Sequence, residues 1–257
     1  MKWNNGFRTA VVLAVIFGII FGLSEVINSN APPEVQKMRI NDVVLTVPRD
    51  ALWLPPLLVG SDFWSKEGYK VPDANKLQDF ASMSLRGCWI PGVGFSYKQS
   101  IMMCKEENNK YEVSIGLYAT RSGHAEGMIK RGLDAELKKS SVRTWGGVGE
   151  YNYGEWPSGY DGLKLMRLLD LYGVPVPDNE LWNILLFIPD SDLDGNYYVS
   201  CPYFAVMPGA KRGGCDNRSI WSGTDIYVTI NYSGRVVGHS KEIMNDVFGF
   251  LDSMLAK

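Results

Sequence analysis

The spacing of apolar and polar positions changes character along the chain. From Thr9 to Ser24 (TAVVLAVIFGIIFGLS) it has no period, and sixteen residues pass without a charge or a proline. Lys2 and Arg8 precede this run and Glu25 follows it. At ~1.5 Å per residue it covers ~24 Å, and extension from Phe7 to Ile27 brings it to membrane-spanning length. Such a run is an export element, either a signal anchor over 1–27 or a cleaved leader. The basic residues on its short side favour a cytoplasmic N-terminus, with the body outside. The inner membrane is therefore the expected location, single-pass, with a soluble periplasmic protein as the alternative after cleavage. Residues 28–37 (NSNAPPEVQK) are polar with a Pro pair and read as a short stiff tether.

Beyond residue 37 the pattern alternates between period two and period 3.6, which predicts an α+β body. Val43–Val47, ending in Pro48-Arg49-Asp50, and Ile184–Ile188, ending in Pro189-Asp190, read as strands running into proline turns. Leu52–Gly60 (LWLPPLLVG) is apolar but carries a Pro pair, so it is an edge or a packed loop. Leu77–Arg86 fits a strand or a short helix, and Leu163–Leu171 (LKLMRLLDL) reads as a short amphipathic helix.

Two stretches repeat. YEVSIGLYATRSGHAEGMIKRGLDAEL from Tyr111 and IYVTINYSGRVVGHSKEIMNDVFGFLD from Ile226 align without a gap at an offset of 115. Val113 meets Val228, Ile115 meets Ile230, and Gly123-His124 meets Gly238-His239. Each reads as a strand, a turn and a helix. The first helix carries Ile129, Leu133 and Leu137 on one face; the second carries Met244, Val247, Phe248, Leu251 and Met254. The expectation is a tandem duplication: one α+β lobe over 38–140, a connecting segment over 141–179 and a second lobe over 180–257. Each lobe would have its own antiparallel sheet, packed helix and disulfide.

Cysteine usage supports an oxidising destination. The only four are Cys88, Cys104, Cys201 and Cys215, in two local pairs. Four cysteines allow three connectivities. Local pairing, Cys88–Cys104 and Cys201–Cys215, closes two loops of similar length and is the expected framework.

Composition narrows the function. With 26 basic and 28 acidic side chains the net charge is −2, which supplies no basic field for nucleic acid. Eight Trp and thirteen Tyr are rich in amphipathic rings. Many fall in Thr144–Gly162 (TWGGVGEYNYGEWPSGYDG), where three acids occur and no base. Trp145, Glu150, Tyr151, Tyr153, Glu155, Trp156 and Tyr160 are accordingly the candidate partner-binding residues. Asp190, Asp192, Asp194 and Gly195 make half a calcium loop, but its twelfth position is Cys201, so an acidic turn is the better reading. His124 and His239 both precede helices and read as turn residues. There is no GxSxG, SxxK, P-loop or GxGxxG, and no cofactor or catalytic residue is assigned.

The leader, the VPRD turn after the first strand, the two expected lobes and the local disulfides together resemble one family. It is the envelope immunity proteins that protect Gram-negative cells from type VI secretion lipase effectors. The resemblance is architectural and covers roughly 38–257; unlike lipoprotein members, this chain has no lipobox cysteine directly after its apolar run. It implies a two-lobed binder that grips a secreted toxin and blocks it, not an enzyme. An envelope assembly or ligand-sensing protein is the alternative, and a hydrolase a more distant one.

Overall fold

A computed structural model describes residues 34–61, 68, 70–73, 75–98, 104, 110–120, 127–138, 141–144, 147–176, 183–190, 197–206 and 213–256, with 141–144 and 147–150 as backbone. The apolar run Thr9–Ser24, His124, Trp145 and the acidic turn from Asp192 to Gly195 lie outside these residues. Among the described residues no helix is long and apolar enough to cross a membrane.

Residues 35–257 form one compact unit organised on a single large sheet. Its strands are β1 (Val35–Ile40), β2 (Val43–Pro48), β3 (Leu52–Leu58), β4 (Gln78–Ile90), β5 (Gly94–Ser96), β6 (Glu112–Ala119), β9 (Asn152–Trp156), β10 (Leu163–Leu169), β11 (Ile184–Pro189), β12 (Tyr197–Pro202), β13 (Gly214–Ile220) and β14 (Ile226–Ser233). A separate hairpin pairs β7 (Ser141–Thr144) with β8 (Gly147–Glu150). The large sheet runs β2-β1-β4-β6-β14-β13-β12-β11-β10-β9, with β3 and β5 also on β4. β1 joins β4 in parallel, and the other pairings in the sheet are antiparallel.

Period-two patterning gives this sheet two different faces. On the first, Val113, Ile115 and Leu117 of β6 and Val228 and Ile230 of β14 enter the main core with Leu185, Phe187 and Val199. Helix α3 (Ser240–Ser253) covers that face through Ile243, Val247 and Leu251, each fully buried. Two buried tryptophans of the sheet side fix it in place. Trp89 Nε1 donates to Asp246 Oδ2 at 2.7 Å and Trp221 Nε1 donates to Asp252 Oδ1 at 2.8 Å. On the second face a smaller cluster of Leu186, Tyr198, Ile129 and Leu133 forms where helix α1 (Met128–Leu137) packs. A single helical turn, α2 (Tyr203–Val206), follows β12.

The helical faces read from the sequence are those that pack, and both expected disulfides are present, Cys88–Cys104 and Cys201–Cys215. Leu52–Leu58 is a strand on the flank of β4, with register shifts where the Pro pair falls. The expectation of two lobes is corrected. The repeated strands, β6 and β14, are direct neighbours in one sheet, and the equivalent positions Ile115 and Ile230 lie opposite each other. A local twofold there would put both helices on one face. Instead α1 and α3 pack on opposite faces. The disulfides also differ in setting: Cys201 and Cys215 lie in the main core, whereas Cys88 shares the second face with Arg86. A duplication is therefore not shown. Leu163–Leu169, expected as a helix, is strand β10, because Leu163 and Leu165 serve the main core while Met166 serves the smaller cluster. Burial on both sides of a sheet removes the clean alternation, and a run of that kind reads equally well as a helix.

Candidate partner-binding surface

Helix α1 covers only part of the second face. Beyond it, towards β3, the residues of β4, β6 and β14 that point away from the main core are Ser82, Ser84, Arg86, Ser114, Gly116, Tyr118, Thr229 and Asn231. Most are small and polar, which is why no second helix could gain apolar area by packing there. Larger groups stand out from this floor. Trp53 and Leu54 of β3 are 48% and 50% exposed, and Tyr118 is 41% exposed. The Arg86 guanidinium lies 5.6 Å from the Trp53 ring centre, and its Nη2 is 2.8 Å from Glu112 Oε1. Arg86 is thereby held upright between a ring and a carboxylate. The ring of Tyr118 lies 5.9 Å from that of Tyr227 on the adjacent strand. Burial pushes the Tyr227 phenol up to about 12, so it is a neutral donor and acceptor at physiological pH.

Gly116 explains how Tyr118 is aimed. A Cβ built there would sit 2.6 Å from Thr229 Oγ1 and 2.7 Å from Tyr118 Cε2. The tyrosine ring lies back across the bare glycine, leaving its outer side open. Trp, Tyr and Arg on a floor of Ser, Thr and Gly are the residue types that dominate protein–protein interface energetics.

Further along the same face, between this surface and α1, Arg218 Nε donates to Asp216 Oδ2 at 2.8 Å and Nη1 donates to Tyr198 Oη at 3.0 Å. Burial opposes the charge of Arg218, but these two partners outweigh it and raise its pKa. This group supports the α1 cluster.

The residues expected to bind a partner fall elsewhere and divide by role. Glu150 ends β8, Trp145 lies outside the described residues, and the others are on or after β9. β9 is the last strand of the large sheet and pairs with β10, Trp156 opposite Leu165 and Tyr153 opposite Leu168. Tyr153 packs in the α1 cluster, where its hydroxyl donates to the Ile184 carbonyl at 3.2 Å and burial raises its pKa. Tyr160 packs edge-on against Phe187, with ring centres 5.9 Å apart. Tyr151 is half-buried. Glu155 and Trp156 are exposed at the edge, and the Arg167 guanidinium lies 5.9 Å from the Trp156 ring and 4.9 Å from that of Tyr203. Of the five side chains described, Tyr153 and Tyr160 pack into the two clusters, while Glu155 and Trp156 lie at the sheet edge.

Of the residues weighed for chemistry, Asp190 and His239 are described. His239 precedes α3, with Nδ1 3.2 Å from Glu242 Oε2 and its ring 5.3 Å from that of Trp89. Among the described residues no three His, Cys, Asp or Glu side chains converge as a metal site.

No family model matches this chain, and no curated protein does. Among solved structures, one likeness spans nearly the whole of both chains. It is Smlt3025, described as an immunity protein of the Stenotrophomonas maltophilia type IV secretion system. The two share the fold. The TM-score is 0.51 at 12% identity, over 87% of this chain and 94% of that one. The iron-regulated outer membrane lipoprotein FrpD of Neisseria meningitidis also aligns, over 87% and 93% of the two chains, at 9% identity. Its TM-score is 0.43, too low to carry an argument. The expected likeness to an immunity protein is therefore shown as a shared fold alone. The secretion system named for that structure is type IV, and neither type VI delivery nor a lipase target has support from it.

The residues missed in the sequence are Trp53, Arg86 and Tyr118. A signal for them exists. In SMSLRG and EVSIGLYA the core parity is Met, Leu, Val, Ile and Leu, and the opposite parity holds Ser82, Ser84, Arg86, Ser114, Gly116 and Tyr118. Single large polar-tipped rings on an otherwise small and polar parity mark an uncovered sheet face.

Proposed function

We propose that this chain is an extracytoplasmic immunity protein, which binds a secreted antibacterial toxin and inhibits it by occupation rather than catalysis. One observation carries the reading: a broad sheet face that no described helix covers, with Trp53, Arg86 and Tyr118 raised on a floor of Ser, Thr and Gly. The shared fold with an immunity protein supports it, and two disulfides fit a protein exported to an oxidising compartment. The toxin's route, whether a type IV or a type VI machine, and its activity, lipase or other, are parts of the proposal.

The test is protection. Sensitive cells exporting the full chain are challenged with the secreted toxin that the chain captures from its own producing strain, and binding is titrated by calorimetry. Wild type is expected to protect and to bind in a 1:1 ratio. Trp53→Ala and Tyr118→Ala should each weaken binding by roughly 30-fold, the loss typical of an interface anchor, with no loss of fold. Protection that survives the two changes combined sinks the reading.

A further inference from the structure

The path of the large sheet ends at β2 on one side, and the chain closes that edge itself. Where α3 ends, residues 254–256 run antiparallel along the side of β2 that faces away from β1, with Leu255 opposite Leu45. The Thr46 amide donates to the Met254 carbonyl at 2.7 Å, and the Ala256 amide donates to the Val44 carbonyl at 2.9 Å. Met254 is buried in the main core and pegs the stretch in place. β2 lacks the charges that usually blunt an outer strand. Val43–Val47 (VVLTV) has four β-branched residues and no charged one, and Pro48 comes only at its end. A strand of that composition with free backbone groups is a template for another strand.

The positions of those groups decide which strand it would take. Around a non-hydrogen-bonded pair in an antiparallel ladder, the bonds run between the residues on either side. Lay a second β2 antiparallel to the first, Leu45 opposite the Leu45 of the copy. The Thr46 amide then meets the Val44 carbonyl of the copy, and the copy returns the same bond. Residues 254–256 now hold these same two groups, the Thr46 amide and the Val44 carbonyl. The edge is thus complementary to itself, and a twofold pairing of this kind closes at two copies.

We propose that residues 254–256 guard the β2 edge and keep the chain single, by occupying the two backbone groups through which β2 would pair with β2 of a second copy. The guard does not rest on the toxin-binding reading or on the Trp53 face.

The test counts copies per particle by size-exclusion chromatography with light scattering, on the full chain and its variants in one mild detergent. A chain ended at Met254 keeps the peg and loses the bridge. It should run as two copies at a concentration where wild type runs as one, with unchanged near-ultraviolet circular dichroism. Thr46→Pro removes the amide needed for pairing, at an outer strand where a proline is tolerated. Added to the shortened chain, it should restore one copy. Ala256→Pro keeps every core side chain and removes only the donor to Val44, so it should raise the pairing constant several-fold over wild type. It decides the matter if the shortened chain does not fold. Four results overturn the guard. They are a folded shortened chain that stays single (or Ala256→Pro that does so where the shortened chain is unfolded), pairing that persists with Thr46→Pro, assemblies beyond two copies, and a wild type that is already paired.

Discussion

Removal of the disulfides should separate what the compartment contributes to this fold from what its core contributes. Cys201 and Cys215 are directly opposed on β12 and β13, with Cα atoms 4.4 Å apart and a sequence separation of 14. Cys88 and Cys104 are 6.0 Å apart at a separation of 16. Closing a loop of about 15 residues in the unfolded chain is worth ~3 kcal/mol, and the second loop is nearly the same. Together they supply ~6 kcal/mol, against a total of about 5–15 kcal/mol for an ordinary domain. All four sulfurs are buried, so Ala is the replacement that leaves no stranded polar group. For a body of this size each kcal/mol moves the melting temperature by ~2–4 °C. Cys201→Ala with Cys215→Ala should therefore lower it by ~6–12 °C, the Cys88–Cys104 pair likewise, and all four together by about the sum. Differential scanning calorimetry of the full chain reads this directly. A drop under ~2 °C for either pair would refute the loop-entropy argument. A four-fold variant as stable as wild type would remove the physical reason for export to an oxidising space.

Helix α3 offers a core test: Leu251→Ala, at a fully buried position, should cost ~2–5 kcal/mol in denaturant unfolding. Trp221→Phe keeps most of the ring's burial but loses the bond to Asp252, and should cost about 1 kcal/mol, with near-ultraviolet circular dichroism confirming an intact core. On the binding face, Gly116→Ala forces Tyr118 off its seat beside Thr229, so toxin affinity should fall several-fold with a smaller change in melting temperature. In alkali, Tyr153, Tyr227 and Tyr232 all hold their protons above the ordinary phenol value because burial disfavours the anion. The unfolded chain ionises first, so stability is complete below about pH 10 and falls as pH rises from there towards 12. Tyr227→Phe should flatten part of that slope in melting curves taken across the range.

The contrast between what the sequence made legible and what it hid follows from how each element is buried. α1 and α3 bury one stripe each, so Ile129, Leu133, Val247 and Leu251 stand at helical spacing and name the packed face without any knowledge of the partner. Local cysteine pairs needed no tertiary information, since short loops bring them within reach. β10 is buried on both faces at the far side of the sheet, and its LKLMRLL gives a helix pattern and a strand pattern equal standing. The repeat misled for a related reason. Matching Val113, Ile115, Val228 and Ile230 reported that two strands face one core; they carry no information about the side on which the next helix lands, and that side decides between two lobes and one sheet. The candidate site was hidden by the same logic taken further. Aromatic density drew attention to Tyr153 and Tyr160, yet rings dense in sequence are often there to pack, and those two are half-buried against the clusters. Trp53, Arg86 and Tyr118 come from three strands separated by long stretches of chain, and only the order β3-β4-β6 brings them together. What distinguishes them is not their own type but the smallness of Ser82, Ser84, Ser114 and Gly116 around them. A sheet face that gains nothing from covering itself is available to be covered by something else.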